Sequence, residues 1–186
     1  MSTQFQKFLH DYRGQLDYAL AALDVVAIEA AAKLIAACRG TVWLIGNGGS
    51  AALASHMATD LQLAGKRAVA LTDVAAVTTY ANDLHFNEAF SSQIGSLVKA
   101  GDILIAISGS GKSSNIINAC SDALDLRCKT IAITGFDGGR FNGLHEDNKP
   151  TVHINIPAQH MGVSQDGHQV VLHLITYWLM ERRKVQ

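Results

Sequence analysis

The chain has 186 residues, 48% of them apolar, which is material for one sizeable core and too little for two comfortable domains. Its formal charge of −1 gives no global pull towards nucleic acid or anionic lipid, so an anionic ligand must be held by local donors. Three cysteines, Cys38, Cys120 and Cys128, form neither metal-type pairs nor an even disulfide set, and they read as buried free thiols of a reducing compartment.

The amino terminus has no basic region followed by an apolar run, and no stretch approaches the roughly eighteen uninterrupted apolar residues of a membrane span. A cytoplasmic protein with no membrane and no nucleic-acid partner is expected. From Phe5 to Cys38 apolar positions recur at helical spacing (Phe5, Phe8, Leu9, Tyr12, Leu16, then Val25, Val26, Ile28, Ala32, Ile35), which predicts two helices broken near Asp24 and lying over the sheet. After Gly40 come β-rich runs at Thr41–Ile45, Ala68–Leu71, Asp102–Ile107, Thr130–Thr134 and Thr151–Ile156, separated by helix-length segments. They are continuous apolar runs, as strands covered on both faces must be. The predicted fold is α/β: one doubly wound, mostly parallel five-stranded sheet with helices on both faces and two N-terminal helices. An amphipathic helix from about Val163 to Lys184 closes it. With two prolines, no repeat and no linker, residues 1–186 read as one domain, a helical segment over 1–38 and an α/β core over 39–186.

The first strand runs into Gly46-Asn47-Gly48-Gly49-Ser50 and then a helix over Ala51–Leu63, so backbone N–H groups gather at a helix start. Three readings stand: an anion site, a tight turn that needs glycine only for its shape, and a dinucleotide fingerprint through Gly46, Gly48, Ala51 and Asp73. The third strand ends in Ser108-Gly109-Ser110-Gly111-Lys112-Ser113-Ser114-Asn115 and a helix from Ile116 to about Leu124. Its GKS imitates a phosphate loop of nucleotide triphosphatases, but Ala106 stands where that motif needs its first glycine. Each serine taken alone serves equally well as a helix cap or a ligand contact. In a doubly wound sheet, however, ligands gather at the carboxyl ends of strands, where both loops would meet.

His56 and Asp60 lie four residues apart on one helix face, and Gln165, His168 or Gln169, and His173 share a face of the last helix. If the two faces meet, two imidazoles, a carboxylate and an amide oxygen surround a point suited to a Zn²⁺-like ion. Alone, each histidine is a hydrogen-bonded helix residue. A carboxylate beside an imidazole is also the pair that aldose–ketose interconversion needs, one taking a proton next to a carbonyl and the other protonating the carbonyl oxygen.

The order and spacing of strand–GNGGS–helix with His56, Asn82-Asp83 before Phe86, the Ser108–Asn115 loop, Thr134-Gly135-Phe136-Asp137-Gly138-Gly139 and the Gln165/His168/His173 helix resemble the sugar-isomerase (SIS) domain family, and within it the phosphoheptose isomerases. The resemblance implies conversion of sedoheptulose 7-phosphate to a glycero-manno-heptose 7-phosphate, serving lipopolysaccharide or capsule heptose, in a homotetramer with sites between subunits. It also implies zinc ligands at His56, Asp60, Gln165 and His173, with Asp60 as base and His173 as acid. Substrate contacts are implied at Asn47, Gly48, Gly49, Ser50, Asn82, Asp83, Ser108, Ser110, Ser113 and Gln165.

The sequence departs from the family pattern in three places: aspartate for glutamate at Asp60, Gly162-Val163-Ser164-Gln165 for an Asp-Arg-Ile-Gln or Ala-Arg-Ile-Gln run, and Gly109 for a threonine. Two other functions remain open on sequence. One is a non-catalytic SIS module that binds a phosphosugar or a protein, and the other a nucleotide-binding oxidoreductase.

Overall fold

Strands that are apolar on both faces need cover on both sides, and that requirement organises the molecule. In the computed structural model, which describes residues 3–184, the strands are β1 (Thr41–Gly46), β2 (Arg67–Ala70), β3 (Ile103–Ser108), β4 (Lys129–Gly135) and β5 (Val152–Ile156). They form one sheet in the order β2-β1-β3-β4-β5, and every pairing is parallel. All six residues of β3 are buried, with Ile103, Ile105 and Ile107 entering one core and Leu104 and Ala106 the other.

Helices α1 (Thr3–Ala21), α2 (Val25–Ala37), α3 (Gly49–Leu63) and α7 (Met161–Lys184) build the first core, and α5 (Ser91–Leu97) and α6 (Ser114–Asp125) build the second. The short α4 (Val74–Asp83) adds Val77 to the edge of the second core. Burial of each large aliphatic side chain contributes about 1.5–3 kcal/mol, so this double core is the main source of stability. No helix among the described residues is long and apolar enough to cross a membrane.

Several expectations shift in detail. The sheet is wholly parallel. Helix α1 buries only Ala19 and packs along α7 instead of covering the sheet, which leaves Phe5, Phe8 and Leu9 exposed. Asp24 caps α2 by accepting from Ala27 N–H at 3.0 Å, and the buried stripe starts a turn later at Ile28, so Val25 and Val26 stay 72% and 77% exposed. Cys120 and Cys128 are buried thiols, whereas Cys38, at the C-cap of α2, is only half-buried.

The strand order reverses between β1 and β3, and the crevice beyond their carboxyl ends is where such sheets hold ligands. Gly48 caps α3 at φ +55°, a backbone shape that favours glycine, and α3 begins at Gly49. The helix therefore starts two residues before the expected Ala51, and Ser50 lies in its first turn.

Candidate active site

The loops after β1 and β3 are tied side chain to side chain. Asn47 Nδ2 donates to Asn115 Oδ1 at 2.9 Å, and Asn115 Nδ2 donates back to Asn47 Oδ1 at 3.0 Å. Both loops then line a cavity of about 160 Å³ with Asn47, Ser50, Ser108, Ser110, Ser113 and Gln165, closed on one side by Gly109 and Met161.

The choice between capping and ligation now has observations to rest on. Ser113 stands at the N-cap of α6 but its side chain makes no capping hydrogen bond. Ser108 is 4% exposed, and its Oγ is buried with no hydrogen-bond partner. A buried hydroxyl is seldom left unpaired, and this one belongs to a residue lining the cavity. Hydroxyls, amides and two helix starts suit a phosphoryl group.

A second cluster lies further along α3 and α7, which run side by side in the same direction. Near Gly49 a Cβ would sit 2.3 Å from Gln165 Nε2, His56 faces His173, and Arg183 Nη1 donates to Leu63 O at 3.4 Å. His56 Nε2 and His173 Nε2 are 3.2 Å apart, and Asp60 Oδ2 is 3.5 Å from the first and 3.9 Å from the second. With zinc–ligand bonds of about 2.0–2.1 Å, neighbouring ligand atoms of a tetrahedral site stand about 3.3 Å apart. The three edges and the N,N,O donor set therefore fit a Zn²⁺-like ion.

The other expected site residues are placed as follows. Gln165 lines the serine cavity, while Gln169 is the amide beside the cluster, its Nε2 2.8 Å from His173 Nε2. His168 is fully buried, with Nε2 3.4 Å from Ser164 Oγ, and burial pushes its pKa down to about 4, so it is a neutral core imidazole. Asn82 and Asp83 end α4, are exposed, bond to each other at 2.9 Å, and do not line the cavity. Asp73 caps α4 by accepting from Ala76 N–H at 2.9 Å, which gives it a structural task in place of a ribose contact.

Comparison with known proteins matches these features. The SIS domain family matches over residues 8–135. A phosphoheptose isomerase from Aromatoleum aromaticum is 40% identical over 143 residues, covering 73% of this chain and 71% of the relative. One from Shewanella loihica is 35% identical over 178 residues, covering 90% and 88%. The solved phosphoheptose isomerase from Neisseria gonorrhoeae superposes with a TM-score of 0.86 at 33% identity, over 95% of this chain and 97% of that one.

The chain belongs to the SIS domain family, among the phosphoheptose isomerases.

Within this SIS domain two residues lay beyond sequence reasoning: Asn115, which ties the two loops together, and Met161, which lines the cavity. Asn115 was visible only as the end of a polar loop, and its reciprocal bond to Asn47 needs the sheet order to bring the two together. Met161 lies ahead of the stretch with clear helical periodicity, and nothing local marks it as part of the cavity wall.

Proposed function

We propose that the chain is an aldose–ketose isomerase that converts sedoheptulose 7-phosphate to a glycero-manno-heptose 7-phosphate. The observation that carries this is the orphaned Oγ of Ser108, a residue lining the serine cavity, taken with the imidazole and carboxylate cluster further along α3 and α7.

The separation of the two sites supports a long sugar. From Ser50 to His56 the axis of α3 advances about 9 Å, and from Gln165 to His173 that of α7 advances about 12 Å. An extended chain of about 1.5 Å bonds gains about 1.25 Å per bond, so seven bonds from phosphorus to the carbonyl carbon of a 7-phosphoheptulose span about 9 Å. A 5-phosphopentulose, with five such bonds, spans about 6 Å and falls short.

In this reading the cavity holds the phosphate through Ser50, Ser108, Ser110 and Ser113, with Asn47, Gly48, Gly49 and Gln165 beside it. Asp60 turns Oδ2 to the two histidines. Its other oxygen takes the proton from C1 of the ketose and returns a proton to C2. His173 protonates the carbonyl oxygen as the enediol forms and takes the hydroxyl proton as it collapses. His56, Asp60 and His173 would hold Zn²⁺, with an amide oxygen as fourth ligand, and the bound ion would polarise the sugar carbonyl.

His56 and His173 have side chains 51% and 42% exposed, so proton transfer there needs cover. Tyr18, Val25, Val26, Leu174 and Tyr177 are large exposed apolar side chains on α1, α2 and α7, and they support a homotetramer whose neighbouring copy closes the site and brings further contacts, Asn82 and Asp83 among them. The product would feed lipopolysaccharide or capsule heptose from the cytoplasm. Incubation with sedoheptulose 7-phosphate and a panel of pentulose and hexulose phosphates, with and without Zn²⁺, is the test. Turnover of the heptulose above the shorter sugars is expected, and no turnover of any of them removes the enzyme.

A further inference from the structure

Two glutamines stand one turn apart on the face of α7 that meets α3, and they have different surroundings. Gln165 lines the serine cavity, and a Cβ built on Gly49 would come within 2.8 Å of its Cδ and 3.0 Å of its Oε1. Its amide is therefore packed on the first residue of α3. From Gly49 the axis of α3 advances about 10 Å to His56 and about 16 Å to Asp60, whereas a zinc–oxygen bond is about 2.0–2.2 Å long. To ligate an ion at the cluster, Gln165 would have to swing away from Gly49.

Gln169 needs no such move. Its Nε2 is 2.8 Å from His173 Nε2, the nitrogen that also has His56 Nε2 at 3.2 Å and Asp60 Oδ2 at 3.9 Å. Those three distances bracket the edge of about 3.3 Å expected of a tetrahedral zinc site. An amide nitrogen only donates, so His173 Nε2 accepts this bond and keeps its lone pair, with the ring proton on Nδ1. That is the tautomer through which Nε2 binds a metal. Once an ion takes the lone pair, the Gln169 N–H would face a cation. A half-turn about the bond between Cγ and Cδ puts Oε1 where Nε2 stood and presents an oxygen instead. Among the described residues Gln169 Oε1 has no protein partner, so the turn breaks no other bond within the chain.

Resting on the isomerase reading above and its zinc site, we propose that Gln169 Oε1 is the fourth metal ligand, and that Gln165, the glutamine the family resemblance assigns to the metal, serves the sugar phosphate alone. One amide completes the ion's ligand set and the other, one turn earlier on α7, holds the phosphate end. If Gln169 only oriented His173, a bound ion would keep its ligands, and with them its spectrum, when Gln169 is removed.

The test reads metal binding without sugar, by competition with a chromophoric chelator for Zn²⁺ and by the visible absorption of bound Co²⁺, in the parent, Gln169→Leu, Gln169→Glu and Gln165→Leu. Loss of a group that merely supports a ligand already weakens metal affinity by about 10- to 100-fold, so Gln169→Leu is expected to raise the Kd for Zn²⁺ at least tenfold and to change the Co²⁺ spectrum. Gln169→Glu, which keeps an oxygen at the same reach, recovers the affinity. Gln165→Leu keeps the parent's Zn²⁺ affinity and Co²⁺ spectrum, while its Kd for sedoheptulose 7-phosphate rises about tenfold. Gln169→Leu with the parent's affinity or spectrum, Gln169→Glu as weak as Gln169→Leu, or Gln165→Leu with weakened Zn²⁺ binding each overturns the proposal. A parent that binds neither ion removes the zinc site and this inference with it, whereas a parent that binds Zn²⁺ through Gln169 and turns over no sugar loses the isomerase reading and keeps this ligand set.

Discussion

Replacing Ser108 by alanine should move stability and ligand binding in opposite directions. In the free protein the Ser108 hydroxyl is buried without a partner, a condition that costs about 1–3 kcal/mol. Alanine removes that cost and deletes a single oxygen atom, so the small void it leaves offsets only part of the gain. For a chain of this size each kcal/mol moves Tm by about 2–4 °C, so Ser108→Ala should melt about 2 °C higher in phosphate-free buffer. With a phosphosugar bound, the same hydroxyl donates to a charged oxygen, a bond with a net contribution of about 1.5–3 kcal/mol. Its loss should raise Kd by roughly 10- to 150-fold. Differential scanning calorimetry of the ligand-free proteins and isothermal titration with sedoheptulose 7-phosphate give the two numbers. A lower Tm together with an unchanged Kd would refute the reasoning, because it would mean that the hydroxyl is satisfied within the protein and does not meet the ligand.

Two further outcomes follow from the cluster and the core. Zn²⁺ at about 100 times its Kd should stabilise the parent by about 2.7 kcal/mol, a rise of several degrees, and His173→Ala should lose most of that rise, as equal shifts in both proteins would contradict. Burial holds His168 near 4, below the ordinary 6.5 of the unfolded chain, so the unfolded state binds the extra proton between those values. Its contribution, at most about 3 kcal/mol, is complete above pH 6.5 and is lost as pH falls towards 4. Melting curves of the parent should therefore steepen across that window and those of His168→Leu should be shallower there, with parallel curves as the contrary result.

The strands and both ligand loops were legible in the sequence because their signals are local. A run such as Ile103–Ile107 has one use, as a strand covered on both faces, and glycine and serine clusters directly after a strand mark its carboxyl end. His56 and Asp60 were legible as a pair through the helical repeat. Their meeting with His173 depends on how far α7 slides along α3, which no local pattern encodes. That same register carries Gln165 to the serine cavity and leaves Gln169 beside His173, although all three share the face identified from spacing. The exposure of Val25 and Val26 was hidden for a similar reason: helical spacing identifies an apolar stripe but not where the neighbouring helix begins to cover it. Met161 gave no signal, because its place in the cavity wall exists only against Gly109, more than fifty residues earlier in the chain.

Proton NMR of sedoheptulose 7-phosphate incubated with the parent and with Asp60→Asn tests the isomerase and its base together. The parent should build up the anomeric proton of the aldose product, and the variant should do so about 10²- to 10⁴-fold more slowly while still binding the sugar phosphate. A parent that forms no aldose, or a variant that matches its rate, would contradict the account.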